Sequence, residues 1–64
     1  MTTDLLFTNH GSICILTPVT PAGNVWIDTN LPEDSPRWGT GVVIEPRYAE
    51  PILQGIISDG LTVA

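Results

Sequence analysis

Residues 5–17 read LLFTNHGSICILT, two apolar and β-branched runs separated by residues 9–11. Glycine takes a positive φ without steric cost, so Gly11 at the end of a three-residue connection predicts a β-hairpin. Side chains alternate along a strand, which puts Leu5 and Phe7 on one face and their neighbours on the other. A hairpin is therefore the starting point for the fold.

A first helix is predicted directly after the hairpin. The hydroxyl of Thr20 suits an N-cap, and Pro21 suits the first helical position. Pro32 ends the helix, because proline cannot continue one. The helical period gives one apolar stripe, with Ile27 at its margin: Ala22, Val25 and Trp26.

A second helix is predicted from two adjacent rows of apolar residues four apart, Tyr48, Ile52 and Ile56 with Ala49, Leu53 and Ile57. We expect it to begin near Tyr48 or Ala49, because Pro51 then falls in the first turn. There its missing N–H has no intrahelical acceptor to lose. Gly60 suits a left-handed C-cap.

The remaining segments complete an α+β fold. Residues 41–45 predict a short strand, and residues 61–63 a last strand at an edge or beside the hairpin. Residues 31–39 contain two prolines and predict a surface loop. The element order is ββαβαβ, a single domain over residues 1–64. Two helices are expected to pack on one face of a small, mostly antiparallel sheet.

The charge balance is strongly acidic. Seven carboxylates stand against two arginines and no lysine, which gives a net charge of −5 and a pI of about 4.1. Such a chain is repelled by nucleic acid and by anionic membrane surfaces, and is attracted to basic protein surfaces. The first residues lack the basic and apolar regions of a signal peptide. The single cysteine suits a reducing compartment, so we expect a cytoplasmic location, which the resemblance described below places in a bacterial host cell.

Catalysis is disfavoured by the reactive residues available. Only His10 and Cys14 resemble a base and a nucleophile, but we expect a solvated turn histidine and a buried cysteine. One His and one Cys do not make a metal ligand set. The 39–41 segment, Gly-Thr-Gly, precedes a strand and offers no helix N-terminus to a phosphate. A chain this small also leaves little room for a pocket of about 300 Å³. We expect no enzyme activity, cofactor or metal.

The acids are the candidate binding residues, and two interpretations stay open. They either keep a small domain in solution or form a negative patch for a basic protein partner. The candidates are Asp28, Glu33, Asp34, Glu45, Glu50 and Asp59. Trp38, beside Arg37, is either an exposed interface anchor or a lid over the core. The small size of the core favours the lid.

The segments WGTGVVIEPRY (38–48) and DGLTV (59–63), together with residues 16–20, Ala22 and Trp26, resemble a family of small proteins from bacteriophages and proteobacterial prophages. The resemblance covers nearly the whole chain and carries no catalytic residues, and Pro51 departs from its pattern. Small acidic phage proteins include anti-CRISPR proteins, some of which look like DNA mimics. The resemblance therefore implies an inhibitor that binds a basic, nucleic-acid-binding surface of a host complex, such as a Cas effector subunit. The alternative is a structural or virion accessory subunit that self-associates through sheet edges or the Trp38 loop, with acids only for solubility.

Overall fold

Four strands and two helices form the protein in the computed structural model, which describes residues 2–64. The hairpin strands are β1 (Leu5–Asn9) and β2 (Cys14–Pro18), and the first helix is α1 (Pro21–Asn30). Strands β3 (Arg37–Trp38) and β4 (Gly41–Ile44) follow, and α2 (Pro46–Ser58) comes last.

The strands form one antiparallel sheet in the order β1-β2-β4-β3. The predicted hairpin is confirmed, with Gly11 at a φ of 87° in its turn. The C-terminal segment lies beside β1, where Val63 makes a parallel bridge with Leu5. The N–H of Leu5 donates to the carbonyl of Thr62, and the N–H of Ala64 donates to the carbonyl of Leu5. The predicted position beside the hairpin is confirmed, but the predicted last strand is wrong: within residues 2–64 the segment forms a single bridge, and the element order is ββαββα.

One face of the sheet carries the core. Phe7 lies opposite Leu16, and Leu16 lies opposite Val42, so these side chains share a face. Trp26 and Ile27 of α1 and Ile56 of α2 pack on this face. The full set of buried residues in the cluster is Leu5, Cys14, Leu16, Trp26, Ile27, Val42, Ile44 and Ile56. The predicted α+β class, with two helices on one face of a mostly antiparallel sheet, is confirmed.

The opposite face of the sheet is covered by no element of residues 2–64. The strand register places the following residues on it: Leu6, Thr8, Ile15, Thr17, Trp38 and Val43. We call this surface the open sheet face. Gly41 also belongs to it, and a Cβ there would lie 2.6 Å from Cγ2 of Ile15, so glycine is required for the strands to pair.

Helix α1 begins as predicted but presents a different face to the core. Thr20 is the N-cap, and its hydroxyl accepts a hydrogen bond from the N–H of Gly23 at 3.2 Å. The predicted stripe is wrong for Ala22 and Val25, because Val25 is 62% exposed. The buried residues are Gly23, Trp26 and Ile27. Gly23 lies against the backbone carbonyl of Asp4, and this close approach sets the rotation of the helix.

Helix α2 begins earlier than predicted. Its first residue is Pro46, so Pro51 lies inside the helix and not in its first turn. Proline suits the first helical position, so Pro46 begins the helix, and α2 continues through Pro51 despite the hydrogen bond that is missing there. The C-terminus is as predicted, with Gly60 at a φ of 82°. The N–H of Leu61 donates to the carbonyl of Ile56, and the N–H of Gly60 donates to the carbonyl of Ile57. These two hydrogen bonds form a Schellman motif.

The predicted surface loop contains a strand that the predicted order lacked. Arg37 and Trp38 form β3, which pairs with β4 at the edge of the sheet. The N–H of Val43 donates to the carbonyl of Pro36 at 2.9 Å, so the pairing starts one residue earlier. Neither helix has the length and apolar character to cross a membrane in residues 2–64.

Candidate protein-binding surface

Every carboxylate side chain of this protein is associated with a helix. Each one lies on a helix, caps a helix end, contacts a helix cap, or lies in the segment that follows a helix. Asp28 and Glu50 lie on helices, while Glu45 and Asp59 cap the two ends of α2. Glu33 and Asp34 follow α1. Among the strands of residues 2–64, the only charged residue is Arg37, which lies opposite the buried Val42 and so faces the helices. Within residues 2–64 no acid lies on a strand, so the open sheet face carries none of them. We call the surface made by α1, α2 and the 31–36 segment the acidic side.

Both arginines lie next to acids of this surface. Nη2 of Arg37 is 3.9 Å from Oδ1 of Asp28, and Nε of Arg47 is 2.8 Å from Oε2 of Glu45. All four side chains are largely exposed to solvent, so each pair contributes at most about 1 kcal/mol. A partner can therefore replace either arginine at little cost in stability.

Two acids have structural roles. Asp59 accepts a hydrogen bond from Nε1 of Trp26, with 2.7 Å between the heavy atoms. Asp4 accepts from the hydroxyl of Thr20 and from the backbone N–H of Thr62. These two hydrogen bonds, Thr20 first, hold the pKa of the Asp4 carboxyl below its ordinary value, against a smaller opposing effect of desolvation. Sequence reasoning did not find this structural role of Asp4, because the hydrogen bonds join it to residues far along the chain.

Three of the predicted binding residues are unengaged. Within residues 2–64, Glu33, Asp34 and Glu50 make no ion pair and no side-chain hydrogen bond, and all three are exposed. Their charge is not offset by an internal partner, and it is available to an incoming cation.

Three of the predicted acids line two neighbouring grooves beside the segment that follows α1. Asp28 and Glu33 line one groove with Arg37, and Glu45 lines a second groove. Both grooves include Leu31 and Pro32, so they are neighbours. Their volumes are about 400 and 410 Å³. The expectation that this chain has little room for a pocket is therefore wrong, because the 31–36 segment lines two such grooves, one with α1 and Arg37 and the other with β4 and α2.

Asp59 lies away from these three. It lines a third groove with Trp26, Leu61 and the exposed side of α1. This groove shares no residue with the other two. Of the predicted acids, Asp28 and Glu33 thus line one groove, Glu45 lines its neighbour and Asp59 lines a separate one, while Asp34 and Glu50 line none of the three.

Trp38 is 62% exposed, so the expectation of a lid over the core is wrong. Trp38 pairs with Gly41, which belongs to the open sheet face. The indole of Trp38 therefore points to that face as well. There it stacks on the ring of His10, with 6.1 Å between centroids and an interplanar angle of 20°. His10 was not expected to have this role, because nothing in the sequence brings the hairpin turn next to β3. Trp38 remains a candidate contact residue, but on the face opposite the acids.

A guanidinium already occupies one position on the acidic side. The Arg47 side chain is paired with Glu45, and its Cζ lies 4.9 Å from the centroid of the Tyr48 ring. A carboxylate and an aromatic face together bind a guanidinium well. This part of the surface has the chemistry to accept an arginine from another protein in place of Arg47.

The two residues considered for nucleophilic chemistry lie as expected. Cys14 is 1% exposed and belongs to the core, while His10 is exposed in the hairpin turn. Among residues 2–64, no three His, Cys, Asp or Glu side chains come together to hold a metal ion. The buried thiol is inaccessible to a substrate.

Comparison with protein-family models, curated proteins and solved structures finds no match for this chain. No relative supplies roles for its residues. A function therefore rests on the distribution of charge and on the shape of the acidic side.

Proposed function

We propose that this chain is a non-catalytic binding protein whose acidic side engages a basic surface of another protein. The observation that carries the proposal is the separation of charge. The acids lie on or beside the helices, whereas the strand residues of the open sheet face include no charged side chain. The open sheet face thus contributes no charged strand residue to the net charge of −5, which the rest of the molecule presents to a partner.

The unengaged acids make this side suitable for binding. Glu33, Asp34 and Glu50 need break no internal ion pair to meet a cation, and the pairs at Asp28 and Glu45 are exposed and weak. Charge concentrated on one side also orients and accelerates the approach of a basic partner. Surfaces that hold nucleic acid are rich in Lys and Arg, so they are natural targets for such a protein.

An inhibitor of a host nucleic-acid-handling complex is the biological form of this proposal. It follows from the resemblance to small phage proteins, among which anti-CRISPR proteins act in this way. A Cas effector subunit, engaged with or without DNA mimicry, is thus the first class of partner to test.

The first experiment measures how binding depends on salt. The basic peptide RRSRRSRRS, labelled with a dye, is titrated with the protein and followed by fluorescence anisotropy. We expect its affinity to fall at least about tenfold when sodium chloride is raised from about 0.05 M to about 0.5 M, because exposed charges are then screened. Affinity that does not change with salt would contradict the proposal.

A second candidate function, self-association, is favoured by the open sheet face. Trp38 and Leu6 are both exposed there, and two copies can meet through this uncharged face without bringing their acids together. Strand spacings of about 4.8 Å and rises of about 3.4 Å per residue give it a flat area of roughly 300 Å². Two such faces bury less than a standard interface, which fits a weak dimer.

Size-exclusion chromatography with light scattering tests self-association. A dimer in wild type that Trp38→Ser abolishes would establish the second candidate. A monomer at all concentrations would exclude it. Far-UV circular dichroism of the variant controls for folding, and Val25→Ser, which removes an exposed apolar side chain elsewhere, controls for a general loss of apolar surface.

A further inference from the structure

An apolar groove opens on the acidic side, beneath the 31–36 segment. Its volume is about 410 Å³, within the range of pockets that hold ligands. Its walls come from the segment, from β4 and from the first turns of α2. The residues that line it and carry the argument are Leu31, Pro32, Val42, Ile44, Tyr48 and Ile52. We call it the apolar groove.

The groove is apolar inside and acidic at its borders. Val42 and Ile44 are buried core residues, while Ile52 is half-buried. Glu45 and Tyr48, which also line it, are exposed. Beyond Leu31 and Pro32 lies the neighbouring groove with Asp28 and Glu33. An apolar slot thus has carboxylates on two sides.

This arrangement selects the chemistry of the occupant. A free apolar ligand would gain nothing from the surrounding carboxylates, and a purely basic segment would leave the apolar walls exposed. A segment with one large apolar side chain between arginines or lysines satisfies both parts, because the apolar group fills the slot while the cations meet the acids. Glu45 and the Tyr48 ring, which already hold the guanidinium of Arg47, offer a position for one of those cations.

We propose that the apolar groove is a docking site for a partner segment in which an aromatic or large aliphatic side chain is flanked by basic residues. The proposal rests on the function proposed above and adds a specific anchor to it. Charge alone would bind any basic segment, whereas the groove distinguishes among basic segments by their apolar residue.

Two peptides of equal charge distinguish the groove proposal from the proposal that the acidic side binds through charge alone. The first is RRSRRSRRS, and the second, RRSRRWRRS, has tryptophan in place of its central serine. We expect the tryptophan peptide to bind at least about tenfold more tightly, because it buries a large apolar side chain. In spectra of isotope-labelled protein, it alone should shift the amide signals of Ile44, Tyr48 and Ile52.

A groove-filling variant tests the position of the anchor. Ser35 lines the groove and is half-buried, so Ser35→Phe places a ring in its opening. Thr8→Phe adds a ring on the open sheet face and serves as the matched control. We expect Ser35→Phe to lower the affinity for the tryptophan peptide to that for the serine peptide, and Thr8→Phe to leave it unchanged. Thermal melts establish that both variants fold. If Ser35→Phe does not fold, Tyr48→Ala at the border of the groove takes its place with the same expectation.

Equal, salt-dependent affinities of the two peptides would overturn the groove proposal and leave the acidic-side proposal standing. Absence of binding by either peptide at low salt would overturn both. Tighter binding of the tryptophan peptide that persists in Ser35→Phe but is lost in Thr8→Phe would place the anchor on the open sheet face, and would overturn the groove proposal.

Discussion

The carboxylate of Asp4 accepts a hydrogen bond from the hydroxyl of Thr20, with 2.7 Å between Oδ1 and Oγ1. The same hydroxyl accepts from the N–H of Gly23 as the N-cap of α1. Oδ2 of Asp4 accepts from the backbone N–H of Thr62. Asp4 thus ties the beginning of the chain to a helix start and to the C-terminal segment.

Stability should depend on pH through Asp4. The pKa of Asp4 is lower in the folded protein than its ordinary value. At a pH above that ordinary value, the ionised carboxylate therefore stabilises the fold. This contribution is lost as pH falls through the folded-state pKa. We therefore expect Asp4→Asn to have a lower Tm than wild type at pH 7, and the difference to shrink as pH falls below about 4. Thermal melts across this range measure it. A difference that stays constant with pH would show that the charge of Asp4 contributes nothing.

The N-cap of α1 should contribute measurably to folding. Thr20→Ala removes the acceptor for Gly23 and the donor to Asp4, so we expect a loss of about 1–2 kcal/mol in the free energy of unfolding. Thr29→Ala, at an exposed position of the same helix, is the control and should change little. Urea denaturation measures both. Equal effects at the two positions would contradict the capping role.

The two helical glycines should differ in their tolerance of a methyl group. A Cβ at Gly23 would collide with the backbone carbonyl of Asp4, so Gly23→Ala should cost about 1–3 kcal/mol. At Gly55 the nearest atom is Cζ2 of Trp26 at 3.3 Å, and the gain in helix propensity offsets that contact. Gly55→Ala should therefore destabilise less than Gly23→Ala in the same denaturant titration. The reverse order would refute this packing of α1 on the start of β1.

Pro51 should be a point of weakness in α2. It has no N–H to donate to the carbonyl of Arg47, and its ring crowds that carbonyl. We expect Pro51→Ala to raise the free energy of unfolding by about 1–3 kcal/mol. Pro46→Ala, at the first helical position, should have a smaller effect because no intrahelical bond is missing there. If Pro51→Ala lowered stability, the proline would have a packing role that outweighs its cost to the helix.

Local sequence signals predicted much of the fold. The hairpin turn, the Thr20 cap and the Gly60 cap follow from preferences of single residues for particular backbone angles, and the structure confirms all three. Alternation along the predicted strand of residues 41–45 likewise puts Val42 and Ile44 on one face, and both are buried in the core. These features depend on neighbours in the chain, which is why the sequence reveals them.

The features that sequence reasoning missed depend on contacts between distant segments. The rotation of α1 follows from the approach of Gly23 to Asp4, and the exposure of Trp38 follows from the pairing of β3 with β4. The groove lined by Asp28 and Glu33 adjoins the groove lined by Glu45 because Leu31 and Pro32 line both. Periodicity cannot specify any of these, because each joins residues of different elements.

The central claim is that position on the acidic side, and not net charge alone, determines binding. Two double variants change the net charge by the same amount: Glu33→Gln with Asp34→Asn on the acidic side, and Leu6→Lys with Thr8→Lys on the open sheet face. Anisotropy titration of RRSRRSRRS compares them at one ionic strength. We predict that the first pair lowers the affinity about threefold to tenfold, because each exposed charge contributes up to about 1 kcal/mol, and that the second pair has less than half that effect. Equal losses in the two variants would contradict a localised binding surface.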